Sequence, residues 1–75
     1  MRAKFQVIEK TQLAHGSLGG GRVKFGPVFE ESGVNRGWAK GAPSGVLELQ
    51  IDSAAAFGEL EIGGYYFVDI TPARD

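Results

Sequence analysis

Val46-Leu47-Glu48-Leu49-Gln50-Ile51 and Tyr65-Tyr66-Phe67-Val68-Asp69-Ile70 decide how this chain is read. Both runs alternate at period two, the signature of strands with one face buried. Leu47, Leu49 and Ile51 fall on one face of the first, with Val46, Glu48 and Gln50 on the other. Tyr66, Val68 and Ile70 form one face of the second. Its opposite face, Tyr65, Phe67, Asp69 and Thr71, mixes apolar and polar groups, which suits contact with a partner chain or a ligand. Pro72 ends the run because it cannot continue a ladder.

Between the two strands the pattern changes. Asp52 or Ser53 can cap a helix N-terminus, Ala54-Ala55-Ala56 favours helix, and Gly58 stops it. One or two helical turns are expected, with Phe57 pinning them to the sheet. Gly63-Gly64 is a turn into the last strand. Upstream, Gly41-Ala42-Pro43-Ser44-Gly45 is a tight turn by composition.

Working outward to the N-terminal half, Ala3-Lys4-Phe5-Gln6-Val7 alternates again. Ala3, Phe5 and Val7 face inward, Arg2, Lys4 and Gln6 face outward, and Ile8-Glu9-Lys10 extends the strand. Arg22-Val23-Lys24-Phe25 reads as a second strand that Gly26-Pro27 interrupts. The stretch between them holds Gly16, Gly19, Gly20 and Gly21. It reads either as a loop between strands or as a backbone approach to phosphate backed by Arg22 and Lys24. A P-loop pattern is absent, and no helix pattern follows it. Asn35 to Lys40 is read as a further strand that places Arg36, Trp38 and Lys40 on one side. Two cations flanking an indole suit a nucleotide, the ring stacking on a base and the cations meeting phosphate. The competing reading makes Trp38 a core aromatic with Arg36 and Lys40 lying over its edge.

The totals set bounds. At 75 residues the chain reads as one domain, 1–75, with a modest core that oligomerisation would help. Without cysteine there is no disulfide framework and no thiolate metal site. No apolar run is long enough to span a bilayer, and Met1 to Phe5 lacks the apolar region of a signal peptide, so no membrane partner is expected. The net charge of −1 is unevenly spread. Residues 1–41 hold seven basic and three acidic residues, and residues 42–75 hold one basic and six acidic. That asymmetry suits a solvated surface, an anion site in the first half, or head-to-tail contact between subunits. The overall balance argues against a duplex nucleic-acid binder.

Catalytic arrangements are weak. His15 is the only histidine and has no second metal ligand at useful spacing. Ser44, His15 and Asp69 could be assembled into a triad only without a nucleophile turn to mark it. Glu48 and Asp69 would pair only on adjacent strands. No enzyme and no cofactor are expected. The fold expected is all-β, a small bent sheet or partly closed β-barrel of about five strands with one short helical turn.

The set Pro43-Ser44-Gly45, Leu47-Glu48-Leu49, Ala54-Ala55-Ala56-Phe57, Gly64-Tyr65-Tyr66 and Val68-Asp69-Ile70-Thr71-Pro72-Ala73 covers close to half the chain. In that order it resembles the C-terminal half of a group of short tailed-phage proteins. Their pattern runs Thr-Pro-Ser-Gly, an alternating strand, Asn-Pro with an alanine-rich turn, Phe-x-Pro-Gly-Lys, then Tyr-Tyr-Val-Asp-Phe-Thr-Pro-Ala. This chain departs from it at Ala42, at Asp52-Ser53, at Ile62-Gly63-Gly64 and at the inserted Phe67. The resemblance implies a counter-defence role in the host cytoplasm. The nearest such activity is that of viral sponges, which sequester the cyclic-oligonucleotide signals of CBASS immunity without turnover. The residues expected to bind that small anionic ligand are Arg36, Trp38 and Lys40, with Arg22 and Lys24 for phosphate, Ser44 for a polar contact and Tyr65 for stacking. A homo-oligomer would supply the pocket walls. Two alternatives stay open: a structural or protein-interaction module using the Tyr65/Phe67/Asp69 face, and a small barrel binding single-stranded nucleic acid.

Overall fold

Alternating sequence becomes a single four-stranded antiparallel sheet in the computed structural model, which describes residues 1–12, 19–30 and 32–74. Strand β1 is Arg2–Gln12, β2 is Gly19–Pro27, β3 is Leu47–Ser53 and β4 is Tyr65–Asp69. A 3-10 turn, η1, covers Val34–Gly37, and a short helix, α1, covers Ala54–Glu59. The strand order is β3-β2-β1-β4, so the two C-terminal strands lie on opposite edges of the N-terminal hairpin, and the sheet curls into a half-barrel.

Period two decides the two faces. Ala3, Val7, Val23 and Phe25 are buried on the inner face, with Phe5, Leu47, Ile51 and Tyr66 packed around them. Tyr66 meets Phe25 edge-on, with ring centroids 6.4 Å apart. Its hydroxyl accepts from the Glu61 N–H and donates to the Glu59 carbonyl, so the half-buried phenol is satisfied. Arg2, Lys4, Arg22, Lys24, Tyr65 and Phe67 share the outer face by the same alternation.

β1 changes phase midway. The register with β2 shifts between Val7 and Glu9, so Ile8 is the extra residue of a bulge. The Ile8 side chain lies over Gly26 on the outer face. The shift turns Lys10 inward, where its Nζ donates to the Phe57 carbonyl at 2.9 Å and to the Leu60 carbonyl. The same ammonium sits 4.2 Å from the Phe57 ring centroid. Lys10 thus ties the carbonyl end of α1 to the sheet. At the other end Ser53 caps α1, its Oγ accepting from the Ala56 N–H at 3.2 Å.

The glycine run is corrected by the structure. Gly19, Gly20 and Gly21 belong to strand β2 rather than to a loop, and Gly20 and Gly21 are buried. A Cβ at Gly20 would overlap the Ile51 carbonyl oxygen, and one at Gly21 would overlap the Thr11 carbonyl and lie 2.9 Å from the Phe57 ring. These glycines let β3 and α1 close on the hairpin, which is a packing duty. Leu13 to Leu18, including His15 and the start of the expected glycine loop, lie outside the described residues.

The strand expected at 35–40 is also corrected. Val34–Gly37 forms η1, and Trp38 is its C-cap. The reason is local: the N–H groups of Trp38 and Ala39 both bond back to the Asn35 carbonyl, at 3.2 and 2.9 Å, closing turns where a strand would need an extended backbone.

Candidate functional site

The expected triplet does not form a face. Arg36 lies on η1 and is exposed, reaching only the Gly41 carbonyl at 3.4 Å; Lys40 is exposed beyond the turn. Trp38 is half-buried, and its Nε1–H donates to Asn35 Oδ1 at 3.0 Å. Its indole is therefore part of the bracket that holds η1, which corrects the reading of Arg36, Trp38 and Lys40 as a stacking strand. Ser44 is exposed in the segment leading to β3, outside any helix or strand.

A cation–aromatic cluster does exist, built by different residues. Tyr65 and Phe67 stand on the outer face of β4, 59 % and 57 % exposed. β1 lies alongside in the register Lys4↔Phe67 and Gln6↔Tyr65, and its long outward side chains reach diagonally. The Arg2 guanidinium carbon lies 4.8 Å from the Phe67 centroid and the Lys4 ammonium 5.1 Å from that of Tyr65. Both separations are within cation–π range. Arg22 and Lys24 stand on the same face, on β2.

Each of these cations has a carboxylate neighbour. Arg2 bonds Asp69 at 2.7 and 3.2 Å, Lys4 bonds Glu30 at 3.1 Å, Arg22 approaches Glu48 at 3.6 Å and Lys24 approaches Glu9 at 3.9 Å. The Arg2 hydrogen bond holds the Asp69 carboxyl below its ordinary range, and the same bond raises Arg2. The face is thus close to neutral at rest. Exposed pairs of this kind add little to stability and hold their side chains loosely.

Other arrangements come apart. Glu48 and Asp69 sit on opposite edge strands, each held by its own arginine, so they are not a carboxylate pair. Of the formal triad, Asp69 is engaged by Arg2, and His15 lies outside the described residues. Among the described residues no three acidic or histidine side chains converge to hold a metal, and none encloses a cavity. No helix is long and apolar enough to cross a membrane.

Reading from sequence set Tyr65 and Phe67 on one mixed face and singled out Arg22 and Lys24, but did not bring Arg2 and Lys4 to those rings. Their outward positions were legible; that β1 and β4 are neighbours was not. No family model, curated protein or solved structure matches the chain.

Proposed function

We propose that the chain is a non-catalytic binding protein whose outer β1–β4 face holds a small anionic nucleotide. The observation that carries this reading is the pair of exposed rings, Tyr65 and Phe67, each with a β1 cation beside it. A base stacks on an exposed phenol or phenyl ring, and Arg2 and Lys4, then Arg22 and Lys24, meet phosphate oxygens. Together with the resemblance to small tailed-phage proteins, this supports sequestration of a cyclic nucleotide immune signal in an infected host. Binding without turnover is sufficient for that task.

The test is calorimetric titration with a panel of cyclic di- and trinucleotides, followed by heat release and chromatography of the ligand. Tight binding with the ligand recovered whole supports the proposal. A cleaved ligand overturns its non-catalytic part, and no binding to any member overturns it altogether. A second reading, a protein-interaction module using the same face, is favoured by the openness of the face, which no cavity among the described residues interrupts. Pull-down from infected cells with wild-type and Phe67→Ala baits tests it.

A further inference from the structure

The half-barrel leaves more surface open than a single chain of this size normally does. A folded 75-residue monomer exposes roughly 4,450 Å²; this one exposes 5316 Å². Its radius of gyration is 13.9 Å, against roughly 11 Å expected for the length. The surplus, roughly 850 Å², is close to the approximately 800 Å² that each partner buries in a standard stable complex.

The two sheet edges are not equally open. β3 carries Glu48, Gln50 and Asp52 along its length and runs directly into α1, so a second β3 placed against it would bring carboxylates together. β4 carries no lysine, proline or glycine from Tyr65 to Asp69, and no bulge interrupts its pairing with β1. Its backbone phase is fixed by Met1 and Ile70, which exchange both ladder bonds at 2.8 Å. Because such pairs recur at every second residue, Tyr66 and Val68 bond to β1. The N–H and C=O groups of Tyr65, Phe67 and Asp69 therefore point out of the open edge.

We propose that β4 pairs with β4 of a second copy, antiparallel about a two-fold axis at Phe67, to make one continuous eight-stranded sheet from two four-stranded ones. Phe67 faces its own counterpart, and Tyr65 faces the partner's Asp69. Every outward amide and carbonyl of the three residues gains a partner. The two Tyr65/Phe67 pairs then stand side by side on one outer face. The pairing rests on the strand edge and holds whatever that face binds.

The test uses the full chain and no nucleotide. Sedimentation equilibrium is expected to give twice the chain mass. Phe67→Asp, which sets two carboxylates across the axis, is expected to weaken association about tenfold or more while the circular dichroism spectrum stays unchanged. Because the chain has no cysteine, Phe67→Cys introduces a single thiol. Facing residues of a hydrogen-bonded antiparallel pair have Cα atoms about 5.5 Å apart, within disulfide range. Oxidation with copper phenanthroline is expected to cross-link Phe67→Cys and leave Leu49→Cys on β3 largely uncross-linked. A monomer at every concentration overturns the proposal, as does a dimer that cross-links at 49 and not at 67.

Discussion

The carboxamide of Asn35 occupies the place of a strand residue beside Lys4. Its Oδ1 accepts the Lys4 N–H at 2.7 Å, and its Nδ2 donates to the Lys4 carbonyl at 2.9 Å. β2 ends at Pro27, and beyond it only the Val28 N–H continues the ladder, donating to the Lys4 carbonyl at 3.0 Å. Nδ2 also donates to the Val28 carbonyl at 2.7 Å, and Oδ1 accepts from Trp38. Asn35 is 3 % exposed, so water does not substitute easily for any of these bonds.

Asn35→Ala strips the Lys4 N–H, the Val28 carbonyl and the Trp38 Nε1–H of these partners at once, while the Lys4 carbonyl keeps the Val28 N–H. The expected cost is about 2–4 kcal/mol, since each orphaned buried group costs about 1–3 kcal/mol and some can be rehydrated. A domain of this length holds only about 4–11 kcal/mol in all, so the variant should lie near its unfolding midpoint in moderate urea. Asn35→Asp keeps both acceptor bonds but points a carboxylate at two carbonyls. Relative to the unsubstituted chain it should gain stability as pH falls, because protonation restores a donor. Urea melts at neutral and acid pH check both.

Glycines at different places should respond in opposite directions. Gly21→Ala drives a methyl into the Thr11 carbonyl and the Phe57 ring, and the loss should exceed about 2 kcal/mol. Gly58 does not stop α1 as its sequence suggests but lies within it, one residue before its end, with open space around its Cα and no positive φ. Gly58→Ala should stabilise by about 0.5–1 kcal/mol through helix propensity. Thermal melts of the two variants decide this, and equal effects would contradict the packing described for β2.

Much of the fold was legible before any coordinates. Alternation in 3–7, 22–25, 47–51 and 65–69 assigns both the strands and the inward residues, because a one-residue slip would expose Val7, Val23 and Tyr66. Ser53 before three alanines announces the helix. Arg36, Trp38 and Lys40 alternate too, but over so short a span that the turn bonds to Asn35 prevail. Gly19 to Gly21 carry no strand signal of their own. They are strand because β3 and α1 come close, and that is a tertiary fact. The candidate site was half legible: Tyr65 and Phe67 stood on a mixed face from the start, while Arg2 and Lys4 join them only once β4 is known to lie against β1.

Lys10 is a structural cation. Lys10→Met retains the apolar stem but loses the bonds to the Phe57 and Leu60 carbonyls and the contact with the Phe57 ring. The expected cost is about 1–2 kcal/mol. Amide exchange should speed up first at Leu60, whose N–H closes the end of α1 on the Phe57 carbonyl. An unchanged Leu60 exchange rate would show that α1 does not depend on the tie.

The Arg2–Asp69 pair should have a readable pH signature. The Asp69 carboxyl is held down chiefly by the Arg2 hydrogen bond, so its folded pKa lies below the unfolded value of about 3.9. The stabilisation is then complete above about pH 4 and is lost as pH falls through the folded value. Carboxyl carbon shifts in an NMR titration should place the midpoint below that of an aspartate peptide, and Arg2→Met should return it. Both groups are exposed, so the effect on global stability should be small.

The last prediction separates the two aromatic sites. If the outer β1–β4 face binds the nucleotide, Tyr65→Ala and Phe67→Ala should each weaken binding by about 1–3 kcal/mol, the worth of one stacked base. Neither ring is in the buried core, so the urea midpoint should move little. Trp38→Phe should do the reverse. It removes the Nε1–H donated to Asn35, costs about 0.5–1.5 kcal/mol of stability and leaves affinity unchanged. If Trp38→Phe abolishes binding while Tyr65→Ala does not, the ligand sits at η1 and the assignment to β1 and β4 is wrong. Salt dependence supplies an independent check: a compact ligand touching a few cations gives a shallow slope, and a single strand laid across the sheet gives a steep one.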